Sequence, residues 1–298
     1  MLEVRCRGGF SDRNGIKPEN TEIQLKDFDE RTRISFVNIT INTIKRYLVH
    51  SYWGSELKDY FCLRLYRDVY HQIVDVNHDF DLNQLLYCIQ ETIVKDSYDS
   101  ILTILEPIVG LLNAFLIEKE YDYKKNSIFE QFNEVFEKEY VGYRFINGLI
   151  MPISDKIEVS TINDALKNEF VPVREHLSKA CKYLSGRENP DYENSIKESI
   201  SAVESICRII TKVSGNDATL GKMLNKLKSH GVGIHGALEN AFEKLYGFSS
   251  DKDGIRHGSG IGGPNSTFAE AKFMLVSCCA FINYLMDILS KNEINSDL

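Results

Sequence analysis

The sequence predicts a mainly α-helical protein with two helical domains and a small β-hairpin near the boundary between them. Two observations predict this class. Apolar residues recur at intervals of three and four along most of the chain, and one short segment instead places apolar residues around an Asn-Gly pair. The chain has 298 residues, which is more than one compact helical core usually contains. We therefore expect two domains, spanning residues 1–155 and 156–298.

The first domain begins with a polar, glycine-containing stretch and then becomes helical. Residues 1–30 should be irregular or extended, and a helical pattern is clear after Phe28 and continues to about Tyr140. Four apolar residues illustrate the stripe of an amphipathic helix: Leu57, Phe61, Leu65 and Val69. Pro107 interrupts the apolar stretch 101–116, so we expect that helix to kink or to start anew.

A hairpin near residues 142–154 marks the end of this domain. Asn147 and Gly148 are the pair that best suits a two-residue hairpin turn, because both positions of that turn require a positive φ. Apolar side chains flank the pair: Tyr143, Phe145, Leu149 and Met151. Helical patterning returns at Thr161 and continues to the end of the chain.

The second domain contains the most regular helical pattern in the sequence. Asn189 and Pro190 suit the N-cap and the first helical position, and Gly215 is placed to end the helix or the short turn after it. The apolar stripe of this helix consists of Ile196, Ile200, Val203, Cys207 and Ile210. Its opposite face carries Asn194, Glu198, Ser201, Ser205 and Arg208. Such a polar face is usually solvated unless a partner helix covers it.

Two further helices complete the second domain. One spans Thr219–Ser229 and can be capped by Gly231, and the other begins at a capping box formed by Thr267 and Glu270. The last helix contains the longest apolar run, residues 273–289. This run is short and polar for a membrane span, so we expect a buried helix and no membrane partner.

Composition excludes several classes of function. Acidic side chains outnumber basic ones by 24 to 18 in residues 1–150 and by 19 to 17 in residues 151–298, so neither half is a basic nucleic-acid-binding module. The polar N-terminus has no apolar segment of signal-peptide length, which predicts a cytoplasmic protein. The seven cysteines form no C-x-x-C pair and should be buried free thiols. His71 and His78 have no third ligand nearby, so we predict no metal site.

The most distinctive segment, residues 245–265, combines charge, histidine and glycine where a plain helical bundle needs none of them. Histidine exchanges protons near neutral pH and arginine binds phosphate, so Arg256 and His257 suit cleavage of a phosphodiester. In RNA the 2′-hydroxyl could be the nucleophile, which makes a metal ion unnecessary. The structural alternative is that Asp251 or Asp253 pairs with the arginine while the histidine caps a helix. The glycine spacing that follows fits a dinucleotide-binding loop, but no strand precedes it, and we expect no cofactor.

Several stretches together resemble AbiJ-type abortive-infection proteins: FSDRNGIKP, EIQLKDFDERTRISF, VGYRFINGLIMPI, PDYENSIKESISAVESICR, TLGKML and LYGFSSDKDGIRHG. The resemblance spans most of the chain. In such proteins an AbiJ N-terminal domain precedes a helical domain similar to the HEPN superfamily, many of whose members are metal-independent endoribonucleases. The resemblance therefore implies bacterial anti-phage defence by RNA cleavage, with residues 156–298 forming a HEPN-like helical bundle.

The resemblance also implies an RNA substrate, a homodimer with a composite groove, and a phage-derived trigger or an antitoxin as a further partner. The usual HEPN motif is an arginine followed after four to six residues by a histidine, whereas Arg256 and His257 are adjacent. Adjacent side chains on a helix point away from each other. The pair would therefore have to converge across a loop or a dimer interface.

Two hypotheses of different class follow. In the first, the protein is an RNA-cleaving effector in which His257 is the general acid or base and Arg256 binds the scissile phosphate. The predicted substrate-binding residues are Asn194, Glu198, Ser201 and Asp253. In the second, it is a non-catalytic module whose first domain senses a phage component and whose second domain dimerises or recruits a partner. The adjacent Arg-His pair and the acidic charge favour the second. A metabolic enzyme with a nucleotide cofactor is disfavoured, because no sheet pattern is present.

Overall fold

The computed structural model describes most of the chain, in these ranges: 7, 9–16, 18–19, 22–49, 54–74, 80–118, 128–186, 190–212, 220–227, 233–250 and 266–296. Within them the chain is mainly α-helical, with one two-stranded hairpin. The predicted fold class, mainly α with a small hairpin, is therefore confirmed. The chain divides into two compact units, Met1–Ser154 and Asp155–Leu298.

The first unit consists, in its described part, of α-helices followed by the hairpin. The helices are α1 (Phe10–Arg13), α2 (Glu30–Leu48), α3 (Gly54–Arg64), α4 (Leu82–Lys95), α5 (Tyr98–Glu118) and α6 (Ile128–Lys138). Strands β1 (Arg144–Ile146) and β2 (Leu149–Met151) pair antiparallel. The connecting residues Asn147 and Gly148 have φ of 51° and 79°, as the two-residue turn requires. The hairpin lies where the Asn-Gly pair predicts it.

A series of aromatic contacts runs through the core of this unit. The ring centroids of Phe28 and Phe36 lie 5.3 Å apart, those of Phe36 and Phe136 lie 5.2 Å apart, and those of Phe136 and Phe145 lie 5.7 Å apart. These four side chains are buried and connect the start of α2, α6 and β1. Aromatic pairs at such distances stabilise a core beyond the area that they bury.

Three local features differ from the sequence-based expectation. α5 continues through Pro107 without restarting, although an internal proline removes one helical hydrogen bond. Its neighbours Leu105 and Ile108 are fully buried in one core, and this packing holds the helix together. The short helix α1 occupies part of the stretch expected to be irregular. The predicted amphipathic stripe begins in α3 but its last part lies in a π-helical turn, Leu65–Val69. In this turn the Tyr70 amide donates to the Leu65 carbonyl.

A cluster of buried polar residues ties the N-terminal segment to the end of α6. The anchor cluster, as we name it, comprises Arg7, Gln24, Asp29, Arg31, Thr32, Ser35 and Glu139. The Glu139 side chain is 2% exposed and accepts from Arg7 Nη1 at 2.8 Å and from Arg31 Nε at 2.9 Å. Asp29 pairs with Arg7 and also caps α2 by accepting from the Thr32 amide at 2.9 Å. One carboxylate therefore holds together three parts of the chain that are far apart in sequence.

The second unit contains, within its described ranges, a bundle of helices. They are α7 (Lys156–Leu166), α8 (Val171–Leu184), α9 (Tyr192–Thr211), α10 (Leu220–Leu227), α11 (Gly236–Ser250) and α12 (Phe268–Ser296). α12 packs against α7, where Lys272 forms an ion pair with Glu158 at 2.9 Å and Asn283 donates to the Thr161 carbonyl at 3.0 Å.

The ends of these helices partly follow the sequence signals. The capping box of α12 is confirmed, because the Thr267 amide donates to Glu270 at 2.7 Å and the Glu270 amide donates to the threonine hydroxyl at 3.3 Å. The predicted start of α9 at Pro190 is wrong. Asp191 is its N-cap instead, because a carboxylate accepts from the amides of the first turn as well as an asparagine amide does. α9 ends at Lys212 in a left-handed conformation, with φ of 52°. Gly215, Thr219 and Gly231 lie outside the described residues.

Two helices are long and apolar enough to cross a membrane by length and composition alone. They are the segments Tyr98–Leu116 of α5 and Phe268–Ser290 of α12, of which 44% and 39% is buried inside the fold. α5 contributes to the core of the first unit and α12 packs on α7 and α9, so each has a partner within its own unit.

The described cysteines match the expectation of buried thiols, with one exception. Cys62, Cys181, Cys207, Cys278 and Cys279 are buried and unpaired, whereas Cys88 is half-buried. Burial raises the pKa of Cys181, Cys207 and Cys278 to about 12. These thiols are therefore protonated at neutral pH and are poor nucleophiles.

We predict that Glu139→Gln lowers the free energy of unfolding of the first unit by about 3 kcal/mol, because it removes the buried carboxylate that pairs with both Arg7 and Arg31. Urea unfolding followed by the fluorescence of Trp53, the single tryptophan of the chain and a residue of this unit, measures the change. The matched control is Glu91→Gln, which removes a solvent-exposed pair with Lys95 on α4 and should change the midpoint little. Equal effects of the two substitutions would contradict a dominant role for the anchor cluster.

We also predict that native protein at pH 8 reacts with a thiol reagent at Cys88 but not at Cys181, Cys207 or Cys278. With the pKa raised to about 12, the thiolate fraction of these three is roughly a thousandfold below that of an ordinary cysteine. Mass spectrometry of labelled peptides before and after unfolding in urea identifies the sites. Labelling of the three buried thiols at the rate of Cys88 would show that the bundle opens readily.

Candidate functional site

The polar face of α9 carries three of the residues predicted to bind substrate. α9 begins at Tyr192 because Asp191 accepts from the Asn194 amide at 3.0 Å. Asn194 also donates its side-chain amide to Asp191 at 2.6 Å, so its amide group stabilises the start of the helix. Glu198 and Ser201 lie one turn further on, are half-buried, and share a face because they are three residues apart.

α8 packs closely along α9 and decides how much of this face is open. Ser195 and Ser199 of α9 are fully buried, and the Ser195 hydroxyl donates to the Ala180 carbonyl at 2.9 Å. Nearer the connection, the Asp191 amide donates to the Tyr183 carbonyl. Contacts that ascend along α9 therefore descend along α8, and the two helices form an antiparallel hairpin. Small side chains at the contact allow the helix axes to approach.

The hairpin places a histidine that the sequence analysis did not single out against Glu198. His176 Nδ1 lies 2.7 Å from Glu198 Oε2, and the two side chains are 31% and 24% exposed. His176 Nε2 has no hydrogen-bond partner among the described residues. The available signal was the spacing, because His176 and Glu198 lie at similar distances from the connection between α8 and α9. This spacing predicts a contact only if α8 and α9 are known to pack against each other, and the sequence does not show that pairing.

A histidine held by a carboxylate is suited to proton transfer. The carboxylate accepts from Nδ1–H, fixes the orientation of the ring, and leaves Nε2 to exchange a proton with a bound molecule. The partly exposed position of His176 gives a substrate access to that nitrogen. A metal-dependent arrangement has no counterpart in the described ranges, where no group of three His, Cys, Asp or Glu side chains is placed to hold an ion.

The remaining predicted site residues lie outside the described part of the chain. These are Arg256 and His257, together with Asp251 and Asp253. The described residue that follows this segment most closely on α12 is Phe268, whose ring lies 6.1 Å from that of Tyr192 in an edge-to-face contact. α12 therefore begins beside the first residue of α9. Glu198 lies six residues further along that helix, about 9 Å away along its axis.

Comparison with known proteins identifies the family of the chain. Residues 8–168 match the family model described as AbiJ N-terminal domain 4. The match covers the first unit from Gly8 and continues through α7. No curated protein and no solved structure matches the chain. Since the family model covers more than half of the 298 residues, the protein belongs to the AbiJ N-terminal domain 4 family.

Proposed function

We propose that this protein is an abortive-infection effector that cleaves RNA without a metal ion, through a HEPN-like C-terminal domain. Its family connects it with abortive infection. The proposal for RNA cleavage is carried by one observation, the hydrogen bond of 2.7 Å between His176 and Glu198 on an accessible face of α9. Arg256 and His257 stay in the proposal as the residues that bind the scissile phosphate and transfer a proton.

Cleavage of RNA by its own 2′-hydroxyl needs two proton-transfer groups. The 2′-oxygen attacks the adjacent phosphorus and the bond from phosphorus to the 5′-oxygen breaks. One group accepts the proton of the 2′-hydroxyl, and another donates a proton to the leaving 5′-oxygen. The products are a 2′,3′-cyclic phosphate and a 5′-hydroxyl. In this proposal His257 is one of the two proton-transfer groups and His176 is the other.

The Tyr192–Phe268 contact supports a shared site for these histidines. His257 precedes Phe268 by eleven positions in the sequence, and a segment of this length spans up to about 36 Å when extended. His257 is therefore within reach of the face of α9 that carries Glu198 and Ser201. In this proposal Ser201, Asn194 and Asp253 bind the RNA, and Glu198 positions His176.

A non-catalytic interaction module is the second candidate, and exposed apolar side chains favour it. Ile157 on α7 and Phe273 on α12 are 75% and 57% exposed, on two helices that pack against each other. Exposed apolar residues that form a contiguous patch mark protein-binding surfaces. In this alternative the second unit recruits a partner protein, and substitution of the histidines leaves protection against phage intact.

We predict that inducible expression of the wild-type protein arrests growth and fragments cellular RNA, whereas Arg256→Ala, His257→Ala and His176→Ala do neither. Loss of one acid–base group lowers the cleavage rate by about 10²- to 10⁴-fold. RNA integrity and the presence of 2′,3′-cyclic phosphate ends, measured in purified reactions containing EDTA, check the chemistry.

The control for this experiment is His71→Ala, which removes an exposed histidine of the first unit and should leave cleavage unchanged. Intact RNA in cells that the wild-type protein nevertheless protects from phage would contradict the nuclease and support the interaction module. Cleavage that disappears with EDTA would contradict the metal-independent mechanism.

We further predict that imidazole in the buffer restores part of the cleavage rate of purified His176→Ala, because the vacated position is accessible and Glu198 remains there to orient the added base. Sodium chloride at the same ionic strength should not restore it. Glu198→Gln should reduce the rate less than His176→Ala does, and imidazole should not rescue it, because the ring of His176 is still present. A purely structural role for the pair predicts that imidazole has no effect on any variant.

A further inference from the structure

The first unit contains a cavity that the proposed RNA cleavage does not use. Its volume is about 510 Å³, within the range of about 300 to 1,000 Å³ of sites for small organic ligands. The lining residues are Arg7, Ile23, Glu134, Glu137, Lys138, Tyr140, Val141, Arg144 and Ser154. All of them belong to the first unit.

The cavity forms where the N-terminal segment crosses the end of α6. The Gln24 amide donates to the Tyr140 carbonyl at 2.8 Å, and the Gly142 amide donates to the Gln24 carbonyl at 2.9 Å. Gly142 allows this approach, because a Cβ atom there would lie 2.4 Å from Leu25 Cδ2. Tyr140 takes a left-handed φ of 54° at the same place, which turns the chain after the helix.

Arg144 is a buried cation within this lining. It is 7% exposed, and its Nη1 donates to the carbonyls of Val141 and Tyr143, both at 2.7 Å. Its remaining N–H groups have no hydrogen-bond partner, and its guanidinium forms no ion pair, among the described residues. Burial lowers the pKa of Arg144, and the carboxylate of Glu137 opposes that effect from beyond ion-pair distance. A buried guanidinium that lines a cavity and has donors left over from its carbonyl contacts is suited to bind an anion.

The other charged residues around the cavity limit how much negative charge a bound anion can carry. Arg7 is already neutralised by Glu139 and Asp29, so it attracts a further anion only weakly. Lys138 is exposed and adds one available positive charge, whereas the exposed carboxylates of Glu134 and Glu137 repel additional negative charge. The lining therefore suits one phosphate group and not a chain of several.

The rest of the lining suits an organic body attached to that phosphate. Ile23, Val141 and the ring of Tyr140 provide apolar surface. Tyr140 is 40% exposed, and Arg7 lies over its ring with the guanidinium carbon 5.9 Å from the centroid. An aromatic ring next to a guanidinium is a common platform for a nucleobase.

We propose that this cavity binds a nucleoside monophosphate, with the phosphate on Arg144 and Lys138 and the base against Tyr140. The proposal is independent of RNA cleavage, since every residue that it uses lies in the first unit. It gives that unit a chemical signal to detect, namely a mononucleotide produced when nucleic acid or nucleotide pools are degraded.

The test is isothermal titration of the purified full-length protein at low ionic strength with four probes: AMP, ATP, adenosine and inorganic phosphate. We expect saturable binding of AMP, weaker binding of each of its parts, and no gain with ATP. Arg144→Gln should weaken AMP binding by about ten- to a hundredfold, because it removes charge-assisted hydrogen bonds. Lys138→Gln, at an exposed position, should weaken it by about threefold.

Two further variants separate the site from general damage to the fold. Arg33→Gln replaces a partly buried arginine that likewise donates to backbone carbonyls, at 2.7 Å to Asp96 and 2.8 Å to Phe28, but lies outside the lining, and its affinity for AMP should equal that of the wild type. Glu137→Gln removes a repelling charge and should tighten AMP binding about threefold, a gain that misfolding does not produce. Absence of AMP binding to the wild type, equal binding of AMP and phosphate, or unchanged binding by Arg144→Gln would overturn the proposal.

Discussion

Glu139 places a full negative charge in the interior of the first unit, and much of that unit follows from the need to neutralise it. Its side chain is 2% exposed, and a carboxylate in that environment is stable only when it is paired and hydrogen-bonded. Arg7, Arg31 and Ser35 meet that requirement together. These residues come from segments that are far apart in the sequence, so the anchor cluster determines how the N-terminal segment crosses the end of α6. The cavity that contains Arg144 lies at this crossing.

The second unit depends on close packing of two helices. The buried serines of α9 let α8 approach, and this approach brings His176 to Glu198. The arrangement holds a carboxylate-oriented histidine on two regular helices. Its position on the outer part of the hairpin, half-buried and accessible, distinguishes it from the fully buried ion pairs that serve only to hold a core together.

The proposed activities use different units and different chemistry. RNA cleavage requires proton transfer on α8 and α9, whereas nucleotide binding requires one buried guanidinium after α6. The two proposed roles are therefore divided between the units, with a polar cavity in the first and an accessible histidine in the second.

Features that depend only on neighbouring residues follow directly from the sequence. The helical spacing, the Asn-Gly turn between β1 and β2, and the capping box of Thr267 and Glu270 are local, and the structure confirms them. Pro107 does not interrupt α5, because the local cost of a proline is smaller than the stabilisation from the packing of the buried helix around it. At α9, the N-cap is Asp191, two residues after the predicted cap Asn189.

Contacts between distant segments depend on the three-dimensional fold. Nothing local marks Glu139 as buried, His176 as the partner of Glu198, or Arg144 as a buried cation that forms no ion pair among the described residues. Each depends on which helix faces pack together in the core. Arg7 and Glu139, for example, form their contact although more than a hundred residues lie between them in the sequence. A charged residue in a sequence predicts a surface position, because charged side chains are usually solvated. Folding removes water from around these side chains. Once buried, they need hydrogen-bond or ion-pair partners, and these pairings form the candidate sites.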